Sequence, residues 1–384
     1  MKTVKIFRNR NSGKARKYIF LILLQAIIIS NCCVIPKNKV TGRFHSFNIN
    51  TTVDSKIAKY YLENYLADNK NDPDSDKKIN DINAEYNKET LNRDDLLAIS
   101  KKTSVDFGAI FFAEKLLKYK NNENLQKEFL KNLEMVKKNE VQFPDKDYLV
   151  LIVPGFDYVE NGSVTGADFA KPRELISKAG FVTHFVDIDP IGSVEENADY
   201  LTKTIRNFPD KNILIAGASS AGPAIYLSLG KYLKKEETKR IKAWLNLGGI
   251  LQGVPVLDQF SKGYKSLLLD FVIWIKDWKK KSFESMQTEI SRKRFSEIKL
   301  PDNILVINYI GMSLSGNISK FASDKYCLML DDGPNDGLSL LPDLIVPNTQ
   351  TILAPESDHF FAEDPEIDMK TVAFLKTILE RLEK

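Results

Sequence analysis

From Asp147 to the C-terminus the chain reads as short, nearly uninterrupted apolar runs separated by amphipathic stretches. The runs are Tyr148 to Val153, Phe181 to Val186, Ile213 to Ala216, Ala243 to Leu247, Ile304 to Ile310 and Thr351 to Ala354. Runs of this length without polar alternation predict parallel strands buried on both faces. Ser193 and Glu196 have the spacing of a capping box, and the helix they would start turns Val194, Ala198, Leu201 and Ile205 to one side. A last helix is expected with Val372, Leu375, Leu379 and Leu382 along one face. Strands alternating with helices predict an α/β fold, a mostly parallel central sheet with helices on both faces.

Upstream the pattern changes. Residues 34–55 read as a polar tether, and 69–81, with Asn71-Asp72-Pro73-Asp74-Ser75-Asp76 inside, as a flexible acidic loop. Ala109, Phe112, Ala113, Leu116 and Tyr119 fall on one helical face, and 124–139 reads as a charged helix. The expected division is a leader over 1–33, a tether and α-helical N-terminal region over 34–143, and an α/β domain over 147–384 with an insertion at about 256–300.

Composition adds a destination. The chain has 384 residues, 43% of them hydrophobic, enough for one large core. Its first seventeen residues hold seven Lys or Arg and no acid; a short apolar stretch, Tyr18 to Ile29, and then Ser30-Asn31-Cys32-Cys33 follow. A basic head, a short apolar middle and small residues before a cysteine predict an export signal. The stretch is shorter than the ~20 residues of a membrane-spanning helix. The position of Cys32 resembles the lipid-bearing cysteine of bacterial lipoproteins, so Cys32 is the expected lipidation site and the cell envelope the expected location; plain secretion and an uncleaved anchor are the alternatives. The leader carries +7 of a net charge of +4, which leaves the remainder at −3 and without a basic stripe for nucleic acid. Cys327 is the one cysteine beyond the leader, so a disulfide framework is not expected.

The chemistry starts at Gly217-Ala218-Ser219-Ser220-Ala221-Gly222, between an apolar run and a helical segment. A serine standing clear of a sheet sits on a strained turn whose flanking residues, two before and two after, nearly collide and must be small. Gly217 and Ala221 hold those positions around Ser219. With these features residues 147–384 resemble an α/β-hydrolase, in particular the bacterial lipases and esterases.

The resemblance implies a nucleophile at Ser219 and an oxyanion hole from the backbone N–H groups of Ser220 and Phe156, the latter in Val153-Pro154-Gly155-Phe156 at a strand end. It implies a base at His359, after the last strand. Among the three histidines, His45 falls in the tether and His184 inside a strand run. Asp336, in Asn335-Asp336-Gly337-Leu338, is the implied acid, with Asp331 and Asp332 in reserve. The glycine-rich segment Leu247 to Pro255 is similar to a lipase strand end and is read as pocket wall. The insertion, with Leu267 to Trp278 and Lys279-Lys280-Lys281, is read as a helical cap burying an acyl chain. The implied activity is hydrolysis of a carboxylic, lipid-like ester through an acyl-enzyme on Ser219, with membrane association through the N-terminal lipid or anchor. A thioesterase or acyltransferase would use the same groups, and an envelope-anchored binding protein on an inactive scaffold is the alternative outside catalysis. No cofactor or metal is implied.

Overall fold

The structure, a computed structural model, describes residues 35–143, 147–355 and 357–384. The leader, and with it Cys32, lies outside the described residues. Six strands, β3 (Tyr148–Val153), β4 (Val182–Phe185), β5 (Asn212–Ala218), β6 (Ile241–Leu247), β7 (Leu305–Met312) and β8 (Gln350–Pro355), form a sheet of order β4-β3-β5-β6-β7-β8. Every neighbouring pair is parallel. All six apolar runs are therefore strands of one sheet.

The pleat divides each strand between two cores. Leu149, Leu151, Ile213 and Ile215 face the helices Val194–Arg206 and Ala221–Leu227. Val150, Ile152, Leu214, Ala216 and Leu245 face the helices Lys120–Lys137, Ala170–Lys178 and Ile367–Leu382. Two-sided burial is what suppressed alternation in the sequence. Ser193 does cap its helix, its hydroxyl accepting from the Glu196 N–H while the Glu196 carboxylate accepts from the Ser193 N–H. The last helix buries a face centred on Phe374, Leu375 and Ile378.

The N-terminal region corrects two expectations. Residues 38–53 are not a tether but an antiparallel hairpin, β1 (Asn38–Phe44) and β2 (Phe47–Val53), closed by the two-residue turn His45-Ser46. Val40, Phe44, Ile49 and Val53 point inward and are buried. His45 takes a φ of 49°, as such tight turns require. The acidic stretch is not a loop but the start of the helix Pro73–Glu85. Asp72 caps it, Pro73 occupies its first turn without needing an N–H partner, and Asp74 and Asp76 meet the positive helix end.

This region shares a core with the sheet rather than standing apart. Phe44, Val53, Tyr61 and Phe107 belong to the same cluster as Ile310, Met312 and Leu353 of β7 and β8. The edge of β8 is closed by side chains: Gln126 accepts from the Leu353 N–H and donates to its carbonyl, and Asn122 accepts from the Thr351 N–H. Two amides thus stand in for a missing strand. No disulfide framework was expected, yet Cys327 is disulfide-bonded. No described helix is long and apolar enough to cross a membrane.

A buried carboxylate joins the two regions. Asp106 is fully buried and accepts from the Asp54 N–H (2.7 Å) and from the Ser315 N–H (2.9 Å) and hydroxyl (2.5 Å). Burial, and then the neighbouring Asp54, push its pKa up from 3.8 to about 7. Between those values the folded chain holds a proton that the unfolded chain releases, so stability falls as pH rises from about 4 through about 7. The loss is on the order of a few kcal/mol. Urea unfolding at pH 5 and pH 8 should show it, and Asp106→Asn should flatten the profile; equal slopes in both proteins would assign the pH dependence elsewhere.

Candidate active site

β5 runs from buried Ile213-Leu214-Ile215-Ala216 straight into the turn at Ser219, whose φ of 55° is left-handed. A non-glycine residue keeps that conformation only where its surroundings enforce it. Here the Ser219 N–H donates to the Leu247 carbonyl (3.2 Å), and the Ser219 carbonyl accepts from Gly222 and Ile250 (3.0 Å each). A Cβ added to Gly217 would lie 2.3 Å from Ile225 Cδ1 and 3.2 Å from the Ala221 Cβ, so the small residues flanking Ser219 meet as the turn demands. The segment after β6, expected to be pocket wall, also supports Ser219, because Leu247 and Ile250 hold the serine's backbone.

His359 and Asp336 come from two loops on the same rim. His359 Nε2 lies 3.0 Å from Ser219 Oγ, and Nδ1 lies 2.7 Å from Asp336 Oδ2. Asp336 is fully buried, and His359 is nearly so. The other Asp336 oxygen accepts from the N–H groups of Leu338 (2.9 Å) and Ser339 (2.8 Å), while the Asp336 carbonyl accepts from the His359 N–H (2.8 Å). The carboxylate therefore keeps one oxygen on its own loop and offers the other to the imidazole. Asp331 and Asp332, in the turn Leu330–Asp332, make no bond to His359. His45 instead bonds Glu114 (2.6 Å), and His184 packs edge-on against Phe208.

The two residues expected to supply oxyanion donors, Phe156 and Ser220, line one cavity beside Ser219. Gly155 N–H donates to the Ala167 carbonyl (3.0 Å) and Asp157 N–H to the Pro190 carbonyl (2.8 Å), which pins the loop on both sides of Phe156. Neither Phe156 N–H nor Ser220 N–H donates to an acceptor among the described residues. A Cβ on Gly155 would lie 3.6 Å from the Ser219 Cβ, so the loop passes directly beside the serine.

One supporting residue had no signal in the sequence. Asp358, buried beside His359, accepts from the Ser319 N–H (2.7 Å) and the Phe360 N–H (2.8 Å), tying the histidine loop to the segment after β7. That segment is itself held by Asp106 through Ser315.

A cavity of about 990 Å³ opens at Ser219, Ser220, Phe156 and His359, with Ile250, Met286 and Leu338 among its apolar walls. Ligand sites commonly span ~300–1,000 Å³ with few polar groups. The cap is corrected in detail: the helix Gly263–Lys276 leaves Tyr264, Leu267 and Trp274 exposed, and the cover comes from Trp278 and Phe283, which pack against the Phe156 ring. Lys325 also lines the cavity, and burial lowers its pKa. No group of metal-ligating side chains occurs among the described residues.

No family model matches the sequence, and no curated protein matches it significantly. Solved structures do. A metagenomic carboxyl esterase superposes with a TM-score of 0.52 at 17% identity, over 63% of this chain and 77% of its own. The mature form of a Bacillus licheniformis lipase gives 0.48 at 17% identity, over 63% of this chain and 94% of its own. An all-parallel sheet of this order, a left-handed serine turn after β5, and the superposition on the carboxyl esterase agree: the chain has the α/β-hydrolase fold.

Proposed function

We propose that the protein is a serine ester hydrolase acting on a carboxylic, lipid-like ester. One observation carries the reading: a serine on a strained turn lies 3.0 Å from an imidazole nitrogen whose partner nitrogen lies 2.7 Å from a buried carboxylate. A fold alone hosts many chemistries, and this geometry supports nucleophilic catalysis among them. Ser219 Oγ attacks the ester carbonyl as His359 Nε2 takes its proton. Phe156 and Ser220 N–H groups bind the developing oxyanion. The imidazolium, steadied by Asp336, protonates the departing alcohol. A water deprotonated by His359 then attacks the acyl-enzyme, releasing the acid and restoring Ser219. The carboxyl esterase that shares the fold supports an ester as substrate, and the apolar cavity supports a lipid-like one.

A fluorophosphonate probe tests the reading on purified full-length protein. It is expected to leave a mass adduct on the peptide containing Ser219. No adduct, or an adduct on another residue, would favour a binding protein on a silent scaffold.

Export and anchoring at the bacterial envelope through Cys32 belong to the same proposal and rest on the leader sequence. Cells fed radiolabelled palmitate should incorporate label into the wild type and not into Cys32→Ser. An unlabelled wild type removes the lipid anchor.

A further inference from the structure

The cavity does not end at the cap. It continues past Ser219 into the layer between the sheet and the helices Ala170–Lys178 and Ile367–Leu382. Val150, Ile152, Ala216 and Leu245 line its sheet side, Ile176 and Ile378 its helix side, and all six are buried. Interiors close-pack, and walls facing a void lose their dispersion contacts. This void has a cause in the sequence. β5 sets Ala216 and Ala218 on the face where β3 sets Val150 and Ile152 and β6 sets Leu245 and Leu247. Two alanines amid larger side chains leave a trough along the sheet. An apolar trough of this kind stays dry, and it suits a hydrocarbon chain.

A second observation concerns Tyr309 of β7, which lines the same cavity. Its ring packs against Phe361 and Phe374, and its hydroxyl is buried without a hydrogen-bond partner. Burial, and then the nearby acids Asp364 and Glu366, hold the phenol protonated, so an O–H donor stands unused beside the cavity. Such a group bears its full desolvation penalty unless a ligand atom meets it. After acylation the alcohol must leave while the acyl group stays, so the inner arm between sheet and helices suits the acyl half and the cap side the departing half.

Building on the hydrolase reading, we propose that this arm is an acyl-chain site, and that the substrate is an ester of a long-chain acid bearing a hydroxyl or oxo group where the chain passes Tyr309.

The test uses the full-length protein and a fluorescent fatty acid, cis-parinaric acid. The bound probe is displaced with butyric acid, palmitic acid, and hexadecanoic acids carrying one hydroxyl or one oxo group at successive carbons. Palmitic acid is expected to displace it and butyric acid not. One oxygenated position should compete about tenfold better than palmitic acid, the worth of one neutral hydrogen bond. Tyr309→Phe, which deletes a single oxygen, should bring that ratio to about one. Failure of palmitic acid to displace the probe, absence of any favoured position, or a preference that survives in Tyr309→Phe would overturn the proposal. Ala216→Leu, filling the trough from the sheet side, should lower the ratio of long- to short-chain p-nitrophenyl ester turnover at least tenfold; an unchanged ratio counts against the arm. If that variant does not fold, displacement from the wild type still decides. Displacement without turnover of any ester sinks the hydrolase reading alone, whereas turnover of short esters without displacement sinks the arm alone.

Discussion

Ser219→Ala is expected to lower kcat on a p-nitrophenyl ester by roughly 10⁴–10⁶-fold, the range seen when a nucleophile that works as a unit with its base is removed. What remains would come from the Phe156 and Ser220 N–H groups and from substrate binding, neither of which needs the hydroxyl. The substitution keeps the Cβ, so the backbone strain at φ 55° and the contacts that enforce it are unchanged. The variant is therefore expected to fold and to retain substrate binding, with KM changing far less than kcat. Steady-state kinetics beside a thermal melt checks this. A drop of only a few-fold in a folded protein would mean that the hydroxyl is not the attacking group, whatever its distance from His359.

The sheet was legible in the sequence for one physical reason, whereas the serine, histidine and aspartate at its rim were implied by the resemblance to α/β-hydrolases. Strands buried on both faces write themselves as apolar runs, and their ends mark where a loop can hold a reactive group. Ser219, Asp336 and His359 each follow such an end, and the structure brings them within hydrogen-bonding reach. The N-terminal region was misread because its signals are sparse. In the hairpin only alternate or fourth residues, Val40, Phe44, Ile49 and Val53, carry burial, and between them stand Thr, Asn and Gly. Gly42 is small because the Leu62 carbonyl lies 3.1 Å from where a Cβ would be. In the helix Pro73–Glu85, Ile79 and Ile82 are the buried residues, so its acids looked like solvation when they were serving the helix start. The cap helix misled in the opposite sense. Its apolar residues suggested cover, yet Leu267 and Trp274 face outward.

What holds the rim together could not be read at all. The Ser319–Asp358 link joins residues 39 positions apart, and the Ser315–Asp106 link spans 209. Contacts of that span leave no periodic trace in a chain. The void beside Ala216 is equally silent, since an alanine in a strand run registers as one more apolar residue. Only its neighbours on the same face, Val150 and Leu245, show that space was left.

Asp336→Asn should cost about 10⁴-fold in kcat with little loss of stability, by the logic of an inverted tautomer. In the native site one carboxylate oxygen accepts from the Leu338 and Ser339 N–H groups, and the other faces His359 Nδ1. An asparagine placed there has one workable orientation. Its carbonyl must take the oxygen position facing the two N–H donors, because an amide NH₂ would meet them donor to donor. The NH₂ is then presented to Nδ1, which can bond it only by giving up its own proton. That moves the imidazole proton to Nε2, the atom 3.0 Å from Ser219 Oγ, and a protonated Nε2 cannot accept from the serine. The geometry survives while the base is lost. Proton NMR of the imidazole N–H in the variant should show it on Nε2, with the melting temperature near that of the wild type. An Asp336→Asn variant that keeps the native tautomer and most of its activity would show that the buried carboxylate holds the loop and leaves the chemistry to others.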